Sequence, residues 1–322
     1  MERTRKRKRK KKKIVKRILL TLLLFLIIIG ASVGYTLYKT YQSASNSYLE
    51  LERGEKSKLR ENAVKVNEDP FSLLLMGVED YSTNGENGRT DTLILLTINP
   101  KDESIKMLSI PRDTRVLIPE KERKTKINHA YAYGGRNLTI ETVEDLLNIP
   151  IDYYAEVNFR AFKEVVDELN GVTVNVPFDF WENSDEDNRR IYFKKGEMTL
   201  DGEEALAYAR MRKRDPRGDF GRNDRQTQII SAMLDKATAP SNIFKLDDIA
   251  AHIGKYAKTN FKVTDALALQ QKYPHLNSNN IKRLKLEGED EYINNVYYFI
   301  PGEESIDKLQ YELKKHLRQS QN

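Results

Sequence analysis

The feature that most constrains this 322-residue chain is an uncharged segment of 21 residues near its amino end, Ile18–Tyr38. A helix of that length spans about 31 Å, close to the ~30 Å hydrocarbon core of a bilayer. Twelve of the first 17 residues are Lys or Arg, and such clusters stay in the cytoplasm. The pattern predicts a basic cytoplasmic tail over 1–17, a transmembrane helix over 18–38 and a single-pass type II membrane protein. The alternative is a cleaved signal peptide, but the segment is long for one and no convincing cleavage site precedes the polar sequence.

Charge is distributed unevenly along the chain, which bears on its partners. Residues 1–17 contain twelve basic side chains and one Glu and so carry +11, whereas the whole chain carries +6; residues 18–322 therefore carry −5. Topology and lipid headgroups explain a basic tail beside a membrane helix better than nucleic acid does. We therefore expect membrane lipid among the partners and no nucleic acid. The chain has no cysteine, which excludes disulfides and thiolate metal sites.

Short apolar runs bounded by Gly, Pro or Asn-Pro follow residues 39–69, which we interpret as a stalk. Such runs are typical of buried strands, and their close spacing favours hairpins. The predicted strands are Phe71–Val78, Thr92–Ile98, Ser104–Ile110, Val172–Val176, Ile281–Leu286 and Tyr292–Ile300. The predicted helices are Thr139–Leu147, Phe159–Leu169, Ala205–Met211, Asn223–Ala237, Ser241–Tyr256, Thr264–Tyr273 and Ser305–Leu317, with Thr264 as an N-cap and Phe178–Arg190 as an acidic loop. This mixture predicts one α/β domain over 70–322, with a central mixed sheet flanked by helices.

A basic stretch between two of these helices is the strongest candidate for a binding site. Gly202 begins one helix and Arg210 ends it, Pro216, Gly218 and Gly221 force a loop, and a second helix follows. Seven basic side chains lie around that loop, and guanidinium groups suit phosphate oxygens because they donate in pairs and remain charged. They are Arg210, Arg212, Lys213, Arg214, Arg217, Arg222 and Arg225. A solvated basic loop is the competing interpretation.

Carboxylates at the ends of the first two predicted strands are a second candidate. Glu79 and Asp80 follow the first strand, and Asp91 precedes the second with Arg89 nearby. Mg²⁺ and Mn²⁺ bind one or two carboxylates together with substrate phosphate. Arg112 follows the third strand directly after Pro111, from where its side chain can enter a cleft. Together the residues fit phosphoryl transfer, in which arginines and a metal neutralise developing charge. A solvated turn and a surface ion pair are the competing interpretations.

These segments together resemble the LytR-CpsA-Psr (LCP) family over roughly Phe71 to Ala237. The motifs that carry the resemblance, in order, are LLLMGVED, GRTDTLIL, SIPRDT, KINHAYAYGG, LDGEEALAYARMR and GDFGRNDRQ. Each motif is weak alone, but their order and spacing are specific as a set. The short basic tail, single anchor and exported domain match the family architecture.

The resemblance implies an extracytoplasmic domain that transfers a glycopolymer at the outer face of a Gram-positive cell membrane. The donor would be a glycopolymer such as wall teichoic acid on polyprenyl pyrophosphate, and the acceptor the C6 hydroxyl of N-acetylmuramic acid in peptidoglycan. The glycan would move with its phosphate and release polyprenyl phosphate. Mg²⁺ or Mn²⁺ would be the cofactor. A lipid-binding regulator of cell-wall metabolism and a lipid pyrophosphatase are the alternatives.

The resemblance also implies roles for individual residues. Arg112 and Asp91 would be catalytic, with Arg112 next to the bond that breaks, and Asp91 and Glu79 would bind the metal. The expected pyrophosphate contacts are Arg89, Arg210, Arg212, Arg222 and Gln226. Glu79 stands where the family commonly has Asp, and Tyr81 stands near a usual Arg, which leaves the first metal ligand open; Asp80 is an alternative. Asp91 and Asp219 are both candidates for the general base.

Overall fold

The computed structural model describes residues 47–79, 88–121, 123–239 and 256–318. Within these ranges no helix combines the length and apolar character needed to cross a membrane. The predicted tail over 1–17 and transmembrane helix over 18–38 lie outside the described residues, as does Ser241–Tyr256 except for its last residue.

The described residues form strands and helices that we number in chain order. The strands are β1 Phe71–Glu79, β2 Arg89–Asn99, β3 Ser104–Ser109, β4 Arg115–Ile118, β5 Arg123–Lys126, β6 Tyr153–Asn158, β7 Val172–Val176, β8 Phe180–Asn183, β9 Arg190–Phe193, β10 Gly196–Leu200, β11 Ala257–Thr259, β12 Ile281–Lys285, β13 Gly288–Ile293 and β14 Val296–Pro301. The helices are α1 His129–Leu147, α2 Phe159–Glu168, α3 Gly202–Arg210, α4 Asp219–Thr238, α5 Val263–Lys272 and α6 Glu303–His316.

The central sheet has six strands in the order β11-β6-β1-β2-β3-β12. Strands β1, β2 and β3 pair antiparallel as neighbours, which confirms the expected hairpins. The parallel pairs are β6 with β1 and β12 with β3, so the sheet is mixed, as predicted. Both parallel pairs join distant parts of the chain through helical crossovers, as parallel pairing requires.

The two faces of this sheet have different surroundings. On one face Leu74, Leu93 and Leu95 are fully buried and belong to a core that includes Val143 of α1 and Leu313 of α6. The opposite face carries the alternating residues of the same strands. Those residues line a cavity together with parts of α2 and α4. Helices therefore flank the sheet, and the cavity lies on the face opposite α1 and α6.

A second core holds the two-stranded sheet of β7 and β10 and the β8–β9 hairpin against α2, α3 and α4. The prediction that Phe178–Arg190 forms a loop is wrong, because β8 occupies its middle and β9 begins at Arg190. Phe180 stacks on Phe193 with ring centroids 4.7 Å apart, and both rings are buried. The acidic residues between the two strands hid this hairpin in the sequence.

Two further predictions need correction near the carboxyl end. Tyr292–Ile300 is not one strand but parts of β13 and β14, joined by a two-residue turn. Asn294 and Asn295 have φ angles of 51° and 62°, the left-handed conformation that tight hairpin turns require. Helix α5 begins after Lys262 rather than after the predicted N-cap Thr264.

Residues 47–69 form turns that pack against the domain. Leu51 is buried in the core beside α1. Arg60 donates to both carboxylate oxygens of Asp152, at 2.9 and 2.6 Å, and Arg53 pairs with the buried Glu144 at 2.6 Å. The described part of the segment interpreted as a stalk is thus held by buried ion pairs, and the folded unit extends to the amino side of Pro70.

Candidate active site

The basic stretch predicted from the sequence folds as α3, a loop and the start of α4. Asp201 and Glu204 form a capping box, with Glu204 N donating to Asp201 Oδ1 at 2.9 Å and Asp201 N donating to Glu204 Oε2 at 3.1 Å. Such reciprocal caps satisfy amide groups that a helix start leaves unpaired. Helix α3 therefore begins at Gly202 and ends at Arg210, as predicted.

Arg225 holds the loop between these helices. Its side chain is fully buried, and its guanidinium donates to the carbonyl oxygens of Tyr208 and Met211 and to the Asp215 carboxylate. Burial disfavours the Asp215 charge, but the Arg225 hydrogen bond and charge outweigh it, so the pKa of Asp215 lies below its ordinary value. Arg225 is a structural residue rather than a ligand contact.

Gly221 allows α4 to pass close to this ion pair. A Cβ at position 221 would overlap the Asp215 carboxylate. Gly218, directly before α4, has a φ of 56°, which glycine adopts without a steric cost. Gly218 therefore forms the turn before α4, and Gly221 leaves room for the Asp215 carboxylate.

A β-bulge presents Asp91. Gly77 pairs with Thr92 and Val78 with Thr90, so Asp91 is the extra residue in β2. Bulges redirect side chains and are frequent beside active sites. Asp91 lines the cavity and is about a quarter exposed. The bulge therefore explains why this carboxylate, unlike an ordinary strand residue, reaches the mouth of the cavity.

Arg112 meets Asp91 at this point. Ile110 N donates to Leu93 O at 2.9 Å, which fixes the end of β3, and Arg112 Nη1 then donates to Asp91 Oδ1 at 2.6 Å. Burial disfavours the Arg112 charge, but Asp91 together with Asp113 and Asp219 outweighs burial and raises the pKa of Arg112. The two residues expected to be catalytic are thus an ion pair.

Arg212 and Arg222 converge on one carboxylate of the same cluster. Arg222 Nη2 donates to Asp219 Oδ2 at 2.9 Å, and Arg212 Nε lies 3.0 Å from Asp219 Oδ1. Arg222 is buried, and burial together with the nearby Arg112 and Arg212 charges lowers its pKa even though Asp219 and Asp91 favour its charge. Crowded guanidinium groups of this kind favour the arrival of an anion.

Polar atoms without a well-aligned hydrogen bond gather in this cluster. Arg112 Nε, Arg222 Nε and Asp219 Oδ1 are three of the five buried side-chain atoms that make no well-aligned hydrogen bond within the described residues, although Arg212 Nε and Arg222 Nη2 lie within 3.0 Å of Asp219 Oδ1 and form ion pairs with it. The other two belong to Thr90, beside Asp91, and to Asn128, whose backbone N donates to Arg112 O at 3.3 Å. Buried polar atoms are nearly always paired in native proteins. Three of the five, the two arginine Nε groups and the Thr90 hydroxyl, are donors from which an anionic ligand can accept hydrogen bonds, whereas the Asp219 and Asn128 oxygens are acceptors.

Of the other four residues expected at the site, two line the cavity and two do not. Arg210 and Gln226 line the cavity; Arg210 lies over the Phe159 ring at 5.1 Å, and Gln226 Nε2 is 3.5 Å from Ala209 O. Arg89 and Glu79 pair with each other in the β1–β2 register beyond the bulge, and neither is among the described residues that line the cavity. Arg89 lies instead near His129.

His129 lies partly buried among positively charged side chains. Burial lowers its pKa, and the positive charges of Arg89, Lys126 and Arg123 lower it further. Its Nδ1 lies 2.9 Å from Thr125 Oγ1. These contacts tie the imidazole to β5, so the structure favours a structural role for this histidine.

A divalent cation at the mouth of the cavity would need carboxylate ligands. Among the described residues, no group of three or more His, Asp or Glu side chains could hold a metal ion. Mg²⁺ binds with one or two protein carboxylates when substrate phosphate supplies further oxygens. Asp91 fits that requirement, because Arg112 occupies one of its oxygens and the side chain remains partly exposed. Asp80 lies outside the described residues.

The cavity behind the mouth is large and apolar. Its volume is about 1150 Å³, and its charged lining, from Asp91 to Arg222, lies at one end of the strands and helices that form it. Most of the remaining wall is formed by apolar side chains from the sheet and from α2 and α4. They include Leu75, Ile94, Leu96, Met107, Phe162, Val165, Leu169, Ile229, Ile230, Met233 and Leu234. Residues of Phe159–Leu169 and of Ile229–Met233 both contribute to these walls.

Sequence reasoning missed two contributors to the mouth. Arg214 was predicted only as part of the basic loop. Its guanidinium lies 3.4 Å from the Trp181 ring centroid and donates to Glu182 at 3.3 Å. Asn158 caps α2 by accepting from Ala161 N at 2.9 Å and lines the cavity. The Asn158 cap was readable from the sequence, whereas Trp181 and Glu182 lay in the segment mistaken for a loop.

The fold and the site define a class of protein: an α/β domain whose apolar cavity opens at a cluster of arginines arranged around acidic side chains. The chain belongs to the LytR_cpsA_psr family, whose model matches residues 34–315. It is 53% identical over 289 residues to the polyisoprenyl-teichoic acid–peptidoglycan teichoic acid transferase TagV of Bacillus subtilis, covering 88% of this chain and 74% of TagV.

Solved structures show the same fold. The crystal structure of B. subtilis TagV superposes with a TM-score of 0.73 at 52% identity, covering 79% of this chain and 99% of that one. The LytR-CPS2A-psr family protein YwtF (TagT) with bound octaprenyl pyrophosphate lipid superposes with a TM-score of 0.66 at 36% identity, covering 84% of this chain and 99% of that one. The expected family membership and the α/β fold of the domain are confirmed.

Proposed function

We propose that this chain transfers a glycan phosphate, that of wall teichoic acid, from a polyprenyl pyrophosphate carrier to the C6 hydroxyl of N-acetylmuramic acid in peptidoglycan. The observation that carries this proposal is the combination of one apolar cavity of about 1150 Å³ with an arginine cluster at its mouth. A polyprenyl pyrophosphate has the same two parts, a long apolar chain and an anionic head. The names of its relatives support the same reaction.

The chemistry is an exchange of phosphate ester partners. The acceptor oxygen forms a bond to the phosphorus of the sugar phosphate as the bridging P–O bond breaks. Polyprenyl phosphate leaves with the electron pair of that bond, and the hydroxyl proton passes to a carboxylate of the cluster, Asp91 or Asp219. The pyrophosphate is already activated, so the reaction needs no nucleotide.

The arginines supply most of the electrostatic stabilisation. Arg112 is oriented by Asp91, and its Nε donor is free to bind the leaving phosphate. Arg222 offers a second buried donor, and Asp219 holds Arg222 and Arg212 in place before the donor arrives. Donors fixed in advance in a partly desolvated site stabilise developing charge more than mobile ones in water. Arg210, Gln226 and Arg89 are the further proposed pyrophosphate contacts.

Mg²⁺ or Mn²⁺ is the proposed cofactor, with Asp91 and Glu79 as its protein ligands. When bound, the ion would neutralise phosphate charge at the mouth of the cavity. The proposed location is the cell membrane of a Gram-positive bacterium, with a cytoplasmic amino end, an anchor over 18–38 and the domain outside. Both proposals are testable: chelation should abolish transfer, and protease added to intact cells should digest the domain.

The first experiment uses the full chain in detergent with a synthetic polyprenyl-pyrophosphate glycolipid, Mg²⁺ and un-crosslinked peptidoglycan oligomer. Mass spectrometry of the oligomer reports the added glycan phosphate. Arg112→Ala and Asp91→Ala should each lower the rate about a hundredfold or more, because each removes charge stabilisation made at the reacting phosphate. Arg283→Ala is the matched control, since Arg283 is an exposed arginine of β12 and should leave transfer unchanged.

Two results would contradict the proposal. Tight lipid binding that depends on the arginines, without any transfer, would assign the chain to lipid-binding regulators of cell-wall metabolism. Release of free glycan phosphate into water, without a modified oligomer, would identify a lipid pyrophosphatase.

A further inference from the structure

A row of aromatic rings lies at the surface beside the arginine cluster. Phe220 on the first turn of α4 is 42% exposed, and Tyr292 on β13 is 74% exposed. Tyr292 and Tyr297 are cross-strand partners with ring centroids 5.6 Å apart. Phe299, two residues beyond Tyr297 and thus on the same strand face, lies 6.4 Å from Phe220. We call Phe220, Tyr292 and Tyr297 the aromatic platform.

Backbone and side-chain contacts connect this platform to the reacting groups. Phe299 N donates to Asp113 O at 3.0 Å, directly beside Arg112 in the chain. Lys126 Nζ donates to Asp113 Oδ1 at 2.6 Å and lies 5.8 Å from the Tyr297 ring centroid. Phe220 directly follows Asp219, the partner of Arg212 and Arg222. The β13–β14 hairpin is therefore joined to the same turn that carries Arg112.

The electrostatics of Tyr297 agree with this placement. Burial raises the pKa of Tyr297, the hydrogen bond and charge of Asp290 raise it further, and the charges of Asp113 and Asp219 add to the effect. Both carboxylates belong to the arginine cluster. The Tyr297 ring thus lies within electrostatic reach of the residues that would hold the pyrophosphate.

The geometry of the reaction assigns an occupant to this surface. In phosphoryl transfer, the attacking and leaving oxygens lie roughly in line on opposite sides of phosphorus. If the leaving polyprenyl phosphate occupies the cavity, the acceptor hydroxyl approaches from outside the mouth. None of the three platform residues is among those that line the cavity. They lie outside the cavity, next in the chain or in contact with residues of the arginine cluster.

The chemistry of the platform suits sugar rings. Pyranose rings present C–H groups that pack on aromatic faces, and their hydroxyl groups donate to carboxylates. Asp290 provides such a carboxylate, which already accepts from the Tyr297 hydroxyl at 2.7 Å. Exposed apolar patches on a folded surface commonly mark interaction sites. We propose, on the basis of the transferase function above, that Phe220, Tyr292 and Tyr297 bind the sugar rings of the acceptor glycan strand.

The test measures transfer by the full chain while acceptor and donor concentrations are varied separately. Tyr292→Ser and Phe220→Ala should each raise the KM for un-crosslinked glycan oligomer about two- to tenfold, the range expected for one aromatic contact. The kcat at saturating acceptor and the KM for the donor lipid should remain unchanged. Tyr311→Ser is the matched control, because Tyr311 is a tyrosine of α6 that is 53% exposed; it should leave both constants unchanged.

Calorimetric binding of the glycan oligomer to the full chain, without donor, separates this inference from the transferase function. Oligomer binding that Tyr292→Ser weakens supports the platform even if no transfer is seen. An unchanged acceptor KM and unchanged oligomer binding in both variants would overturn it. A raised donor KM would assign the rings to the lipid head, and a concentration-dependent dimer abolished by Tyr292→Ser would assign them to a second copy; either result also overturns it.

Discussion

Arg222 and Arg225 lie one turn apart in α4 and have different surroundings. Arg225 directs its donors to two carbonyl oxygens and Asp215 and is fully buried. Arg222 keeps a buried Nε without a hydrogen bond, among the described residues, at the mouth of the cavity. Removing one partner of a buried ion pair is strongly destabilising. A substitution at Arg225 therefore acts on the fold, whereas one at Arg222, which is also buried and paired with Asp219, acts on both the fold and the ligand.

His316 makes the stability of the chain depend on pH. Burial lowers its pKa from 6.5 to about 4, and its ring nitrogens lie 2.7 Å from Thr97 Oγ1 and 2.9 Å from Ser104 Oγ. The unfolded chain binds a proton at a higher pH than the native one, so stability is complete above pH 6.5 and is lost between pH 6.5 and 4. We expect the unfolding free energy to be about 2 kcal/mol lower at pH 5 than at pH 7.5.

Urea unfolding of the full chain at these two pH values checks this prediction. His316→Gln retains a side chain that can hydrogen-bond but does not titrate, so its unfolding free energy should change much less between the two conditions. An equal pH dependence in the wild-type chain and in His316→Gln would assign the effect to other groups.

At the scale of elements, the sequence predicted the strands of the first hairpins but missed the local hairpins β8–β9 and β13–β14 and the pairings between distant strands. Apolar runs were enough to place β1 to β3 and their hairpins. The order of the sheet depends on β6 beside β1 and β12 beside β3, partners separated by whole helices. The bulge that presents Asp91 depends equally on the register with β1. No local pattern encodes these pairings.

Contacts of the candidate site were also missed in the sequence. Asp219 and Arg222 pair on the first turn of α4, but Asp219 was predicted to lie in the loop before a helix beginning at Asn223, so this pair was missed. Asp215 and Arg225 pair across a turn, which a list of basic residues does not reveal. The aromatic platform was missed because β13 and β14 were interpreted as one strand, which hid the pairing of Tyr292 with Tyr297.

Gly221→Ala tests how α4 begins. Alanine in a helix interior is ordinarily about 1 kcal/mol better than glycine. Here the added methyl group overlaps the Asp215 carboxylate and pushes it away from Arg225. We expect the unfolding free energy measured in urea to fall by about 1–3 kcal/mol, the usual cost of overpacking. The control is Asn223→Ala, two residues further along α4, which should be neutral or slightly stabilising. A Gly221→Ala variant more stable than the wild-type chain would refute the close approach of α4 to Asp215.

At the scale of the whole molecule, one sheet separates a packed core from a binding cavity. Residues that point toward α1 and α6 are fully buried in the core, whereas those on the opposite face line the cavity. The proposed pyrophosphate contacts come from several elements, among them β2, the turn after β3, and α4. No single element contains the site, so its formation depends on the complete domain.

Ile230→Trp tests whether the cavity binds the lipid chain. Ile230 lines the cavity from α4, and an indole there occupies space that the chain would fill. We expect affinity for a long-chain polyprenyl pyrophosphate to fall about tenfold, which is about 1.4 kcal/mol, while a short-chain pyrophosphate binds as before. Competition binding on the full chain measures both. Leu117→Trp, at an exposed position of β4, is the control, and equal losses for both chain lengths would contradict this assignment.

The position of the cavity against the sheet has a consequence for the lifetime of the protein in the cell. A ligand that binds only the native state lowers the population of unfolded molecules that proteases can degrade. A lipid chain packed on Ile94, Leu96 and Met107 would cover the very surface that folding brings together. We therefore expect the abundance of this protein to follow the supply of its donor, so that cells making less carrier-linked polymer also retain less of the protein that consumes it.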